Sequence, residues 1–223
     1  MNSILSKYFS EYLGTLLIVA TVVGAGHMTG QLNSDPTVGL VMIALAVGFV
    51  LFGAISMLRP ISGAHFNPVV TMVFALQKQI DVKTSFVFVI AQFLGAFSGA
   101  VIANTMYGFA PVLEGQAERL TAGAFLGEVI ATSGLVLIIL LLVHFNNGAL
   151  IAGAVGMWVA AGHFFTSSTS FANPAVTFGR AFTDAVSGIH IGSVPGFMAA
   201  QILGALLALS LYFILTRKQV QNV

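Results

Sequence analysis

Six apolar stretches dictate where this chain can live: about Tyr12 to Met28, Val38 to Leu58, Ser85 to Met106, Ala122 to Val143, Ala149 to Phe165 and Val194 to Leu215. A helix needs roughly 20 apolar residues to cross the hydrocarbon of a bilayer, and each stretch is that long or nearly so. Together they take up most of the 223 residues, of which 57% are hydrophobic and 7% charged. The expected fold class is an all-α membrane protein, a single domain over residues 1–223 with no soluble domain of any size. Whatever the chain does must happen in or beside the membrane.

Composition closes off several chemistries. With no cysteine, disulfides, thiol nucleophiles and thiolate metal sites are excluded. His27, His144 and His190 show no metal-ligand spacing, so neither metal nor cofactor is expected, and a net charge of +1 gives no reason to expect nucleic acid. The N-terminal MNSILSKYFSEYLG has one lysine and no small-residue cleavage pattern, and is expected to stay as the first helix. Placing it inside puts Lys7, Arg59, Lys78, Lys83, Arg217 and Lys218 on the cytoplasmic side and only Arg119 and Arg180 outside. That satisfies the positive-inside rule and makes both termini cytoplasmic, most simply in a cell's inner membrane.

The two halves resemble each other in order. NPVVTM at Asn67 matches NPAVTF at Asn173, QFLGA at Gln92 matches QILGA at Gln201, and Glu11 matches Glu128. The repeats cover about residues 5–106 and 121–216. Three spans per half is an odd number, so the second half enters the membrane from the opposite side, an inverted repeat. Small residues four apart, Gly95 and Gly99, Gly123 and Gly127, Ala152 and Gly156, are expected to let helices approach closely.

Each Asn-Pro pair is a helix start, Asn as N-cap and Pro as first helical residue. The helices that follow, Pro68 to Leu76 and Pro174 to about Phe182, are too short to cross. Non-helical backbone at membrane depth is tolerated only where protein or a wet cavity surrounds it. Two re-entrant half-helices are therefore expected, meeting end to end near the midplane. Their N-terminal dipoles repel cations, while the Asn67 and Asn173 amides can donate to a neutral solute. The expected function is passive conduction of small uncharged solutes.

Other classes fit less well. An ion-coupled secondary transporter shares inverted repeats and broken helices, yet the Asn-Pro segments bring no midplane carboxylate. An enzyme would need a nucleophile with its base, and Ser167, Ser168, Thr169 and Ser170 have no such partners. A non-conducting structural membrane protein would show no solute flux.

The paired motifs SGAHFNPVVT and SFANPAVTFGRAF, with an acid opening each half, resemble the aquaporin and aquaglyceroporin family, also called the major intrinsic proteins. The resemblance covers essentially the whole chain. It implies six full helices and two half-helices, a homotetramer with one pore per subunit, and conduction of water, glycerol or small neutral metalloid hydroxides. It places Asn67, Pro68, Val69, Asn173, Pro174 and Ala175 at the pore junction. It makes Glu11 and Glu128 acceptors that brace the re-entrant loops, with proton coupling as the alternative. Gln92 and Gln201 are repeat-matched and suit hydrogen bonds between helices, with contact to the lumen as the alternative.

The chain departs from the family in two places. Val69 stands where the first motif usually has Ala, and Val176 where an arginine usually follows the second. Family spacing puts the remaining positions of the selectivity constriction at Val47, Ala161 and Ser170. A small insertion or deletion in the loop before Asn173 would exchange Ala161 for His163. The ring Val47, Ala161, Ser170 and Val176 would be wide and apolar, admitting neutral metalloid hydroxides such as arsenous acid, with methylated trivalent arsenicals, some water and glycerol. An ordinary water or glycerol channel is the alternative. Arg180, one turn after Val176, has two uses open to it: pairing with Asp184 or a loop carbonyl, or turning toward the outer mouth. His65 is either a vestibule donor or a loop brace. Trp158 has no sequence-based account.

Overall fold

The structure is a computed structural model that describes residues 3–217; Lys218 lies outside the described residues. Eight α-helices follow in order: α1 Ile4–Gln31, α2 Pro36–Ser62, α3 Pro68–Leu76, α4 Val82–Met106, α5 Ala122–His144, α6 Ile151–Phe165, α7 Pro174–Gly179 and α8 Val194–Thr216. Six of these, α6 with its preceding 3-10 turn, are long and apolar enough to span a membrane. The other two, α3 and α7, are the half-helices. The second is shorter than its motif suggests, since the α-helix stops at Gly179 and a 3-10 turn carries Arg180–Phe182.

Side chains that suit an N-cap start six of the eight helices, all but α6 and α8. Ser3, Asp35, Asn67, Asp81, Thr121 and Asn173 each accept a backbone N–H from the first turn, satisfying donors that a helix start leaves unpaired. Pro follows the cap in α2, α3 and α7, where its missing N–H costs nothing.

The inverted repeat is visible in the packing. In the first half α1 packs on α4, in the second α5 packs on α8, and α2 crosses α6 between them. Gly95 and Gly204 are equivalent residues of the two Gln-x-Leu-Gly-Ala segments. A Cβ on Gly95 would stand 2.2 Å from the carbonyl oxygen of Tyr12, and one on Gly204 would stand 2.6 Å from that of Val129. Tyr12 and Val129 each follow one of the matched glutamates. The glycine thus draws the glutamine-bearing helix against the glutamate-bearing one, bringing both polar side chains within reach of the re-entrant loop.

Trp158 receives its explanation here. Its indole N–H donates to the Ala131 carbonyl at 2.9 Å, and its ring fills the space over Gly134, where a Cβ would lie 2.0 Å from it. It joins α6 to α5.

Candidate functional site

The Asn-Pro junction is built from the two loops that precede the half-helices. Ala64 and Phe66 before Asn67, and Ser170 and Ala172 before Asn173, all have positive φ, between 49° and 55°. These left-handed conformations disfavour residues with a Cβ. They recur at the same two offsets in both halves, so the strain belongs to the motif.

A buried carboxylate holds each loop. Glu11 Oε1 accepts from His65 N at 3.0 Å and Oε2 from Phe66 N at 2.7 Å, while Ser62 Oγ donates to Oε1 at 2.6 Å. Glu128 accepts from Phe171 N and Ala172 N, both at 2.8 Å. Neither glutamate is exposed at all, and a buried carboxylate is tolerated when donors saturate it.

The two glutamines complete each brace. Gln92 Nε2 donates to Glu11 and to Thr71 Oγ1, and Gln201 Nε2 to Glu128 and to Thr177 Oγ1. Thr71 and Thr177 pass the connection on, donating to the Asn67 and Asn173 carbonyls. Both glutamines are fully buried and lie away from the cavity. The threonines were missed as site residues, although the repeat alignment contains them: each stands four residues after its asparagine.

The asparagines cross-link the junction. Asn67 Nδ2 donates to the Ala172 carbonyl and Asn173 Nδ2 to the Phe66 carbonyl, each at 2.8 Å. One amide N–H of each is therefore spent on the opposite loop instead of remaining free, which corrects the expectation that the amide would be available to solute in full. The oxygens cap α3 and α7. Val69 and Ala175 are buried in the core away from the cavity. Val69 belongs to a buried apolar cluster with Val136, Leu140 and Ala205.

A cavity of about 240 Å³ runs past both asparagines. Its walls are regular helix stripes. Val47, Leu51, Ile55 and Arg59 line it from α2, and Val155, Val159 and His163 from α6. Arg59, near the end of α2, marks the face on which α1 begins and α8 ends, a lumen position not singled out from the sequence. His65 also lines the cavity and places Nδ1 3.1 Å from Thr71 Oγ1.

A second cavity, about 430 Å³, opens on the opposite face, where the long loops gather. His163 and Arg180 line both cavities and so define the neck between them. Three pairs of residues bracket the same level. Ile43, Thr169 and Arg180 reach the loop-face cavity, Arg180 the inner one as well, while Val47, Ser170 and Val176, one position or one turn inward, line only the inner one.

Ala161 is not at the neck. It is exposed on the outside of α6 and is replaced there by His163, which is 4% exposed. The reason is helical phase: Val155, Val159 and His163 recur every fourth residue, while Ala161 sits about 200° around a 3.6-residue helix from Val159. Counting back from Asn173 assumed a loop two residues longer than this one. His163 and Arg180, and not Ala161, share this level with Val47, Ser170 and Val176.

Arg180 is 3% exposed. Its Nε donates to the Ser187 carbonyl, and its guanidinium carbon lies 3.3 Å from the centre of the Phe171 ring. The loop-carbonyl partner and the position at the mouth thus occur together, and Asp184 is exposed. His163 Nδ1 donates to the Val159 carbonyl, which leaves the lone pair on Nε2 of a neutral ring. That Nε2, with Ser170 Oγ and Ser187 Oγ, is buried and without a hydrogen-bond partner. Arg119, on the loop before α5, also lines the loop-face cavity. Burial pushes its guanidinium below the usual arginine range.

The family model for Major intrinsic protein matches residues 1–172. The chain belongs to that family. Its members are channels, and this one is a multi-pass membrane channel for small neutral solutes rather than an enzyme. It is 42% identical to the Aquaglyceroporin AqpS of Rhizobium meliloti (strain 1021), over 91% of this chain and 86% of that one. It is 32% identical to human Aquaporin-5, over 95% and 81%. Among solved structures it is similar to the aquaglyceroporin from Plasmodium falciparum, with a TM-score of 0.72, 25% identity and 94% of each chain covered.

Proposed function

We propose that this channel conducts small neutral hydroxylated solutes, metalloid hydroxides such as arsenous acid and methylated trivalent arsenicals among them, together with glycerol and some water. The observation that carries the reading is the mixed surface of the neck. Val47 and Val176 supply apolar wall, while His163, Ser170 and Arg180 supply an acceptor, a hydroxyl and a cationic donor. A solute with hydroxyls along one flank and an apolar or bare metalloid flank replaces its water there on one side and needs none on the other. The likeness to two aquaglyceroporins over most of the chain supports it. In this reading the half-helix dipoles and Arg180 turn away cations.

The combination of His163 with Arg180 also favours a second reading, an ordinary water channel. Because these two residues narrow the neck, both readings predict less room than a ring of small residues would give. We further propose that the termini and Arg59 face the cytoplasm, that the membrane is a cell's inner membrane, and that the chain assembles as a homotetramer with a pore in each subunit.

Stopped-flow light scattering on proteoliposomes tests the solute reading, with gradients of glycerol and arsenous acid beside an impermeant osmolyte and empty vesicles. Glycerol and arsenous acid should enter faster than into empty vesicles and slow in Val176→Arg. Fast water flow with no solute uptake would establish the water-channel reading, and no flux of any kind would sink both.

A further inference from the structure

We propose that the loop-face cavity is a binding site for small oxyanions, carboxylate or phosphate-like, held between Arg119 and Arg180 directly above the neck, which they obstruct. Both arginines line this cavity, and both guanidiniums lie on one Phe171 ring, Arg180 at 3.3 Å and Arg119 at 5.7 Å from its centre. Dipoles and a π-face are their direct partners, and Glu128, whose charge reaches Arg180, is occupied by N–H groups of Phe171, Ala172 and Gln201. Arg180 gives Nε to the Ser187 carbonyl, and Arg119 gives Nε to Gly188 and one terminal nitrogen to Val186. The terminal nitrogens of Arg180 and the second one of Arg119 make no hydrogen bond among the described residues.

No Asp or Glu lines the cavity. Among the described residues, the carboxylates that form ion pairs, Glu114 and Glu118, are engaged with His190. Asp35, beside the cavity's edge, caps α2 by accepting from Thr37 N at 2.8 Å. Among the described residues neither cation has a carboxylate in ion-pair contact, so the two are held together in a partly enclosed space with Glu128 as a more distant opposite charge on Arg180, and the buried Ser187 hydroxyl beside them has no partner. A guanidinium fork presents paired N–H groups that fit two oxygens of one oxyanion. A bound ion would go no further, because the lumen beneath is walled mostly by apolar side chains, with Ile18, Val22, Ile55 and Val155 among them, and its few polar groups cannot replace the ion's full hydration. Binding does not depend on the proposed solute; only the obstruction rests on the channel conducting.

The test is calorimetric titration of the full chain in detergent micelles with sodium acetate, sodium phosphate and, at matched ionic strength, sodium chloride. Arg119→Gln and Arg119→Lys are titrated in parallel after size-exclusion and melting checks. Saturable binding of either oxyanion is expected, with none for chloride, weaker by tenfold or more in Arg119→Gln and intermediate in Arg119→Lys. In proteoliposomes with the bound oxyanion on both sides, water efflux should slow relative to each protein's own anion-free rate, least in Arg119→Gln. Chloride heats equal to those of the oxyanions, or wild-type affinity in a folded Arg119→Gln, would overturn the site. If that variant does not fold, the chloride comparison and Arg119→Lys decide. Saturable binding with unchanged efflux would overturn the obstruction. Absence of efflux in every anion-free sample would instead count against conduction, while the titration still reads the site.

Discussion

Asn173 donates its side-chain amide to the backbone carbonyl of Phe66, 107 positions earlier in the chain, and Asn67 returns the bond to Ala172. The two half-helices are thus tied across the membrane's middle by the residues that start them. Asn173→Asp puts an oxygen in place of the donor, facing the Phe66 carbonyl. The variant should lose about 1–3 kcal/mol, the cost of a buried polar group left without its partner. Thermal melting in detergent micelles checks this, with Asn67→Asp expected to behave alike because the contact is reciprocal.

Thr177→Val keeps the side chain's shape and removes its hydroxyl. Gln201 loses an acceptor and the Asn173 carbonyl loses a donor. A loss of about 1–2 kcal/mol follows from two broken hydrogen bonds that each net about 1 kcal/mol. A double-mutant cycle with Gln201→Leu should be non-additive, since the two residues share one network. Strict additivity would mean that the brace does not act as a unit.

Glu128→Gln should cost more than Thr177→Val. One end of the new amide is a donor that faces N–H groups from Phe171, Ala172 or Gln201. Two backbone donors in a left-handed loop then compete for a single oxygen. The measurement is folded yield by fluorescence size-exclusion together with melting temperature. A variant as stable as wild type would show that the loop holds its shape without the carboxylate.

Gly204→Ala introduces a Cβ 2.6 Å from the Val129 carbonyl oxygen, well inside contact distance. α8 must move off α5, so overpacking of about 1–3 kcal/mol is expected, with weakened Glu128 to Gln201 hydrogen bonding. Lower melting temperature, and slower water flux in proteoliposomes, would report the two consequences separately.

How far the sequence reaches can be judged residue by residue. The six spans, the half-helix starts at Pro68 and Pro174 and the order of the two halves follow from apolar runs, caps and motif matching, because bilayer thickness and N-cap chemistry act locally on a handful of neighbours. Matching also marks Glu11, Glu128, Gln92 and Gln201 as polar residues that need partners, since hydrocarbon supplies none. What it cannot give is phase and reach. Whether Ala161 or His163 meets the lumen depends on where α6 stops and how the chain returns to Asn173. Whether Arg180 points to a loop carbonyl or the mouth depends on Ser187 and Phe171, brought to it only by folding. The asparagine amides were open donors on paper, and one N–H of each is spent only because inversion of the second half places a carbonyl opposite it. Local chemistry decided which pieces form; the tertiary structure decided which polar atoms remain unsatisfied at the neck, because that is settled by partners distant in the chain.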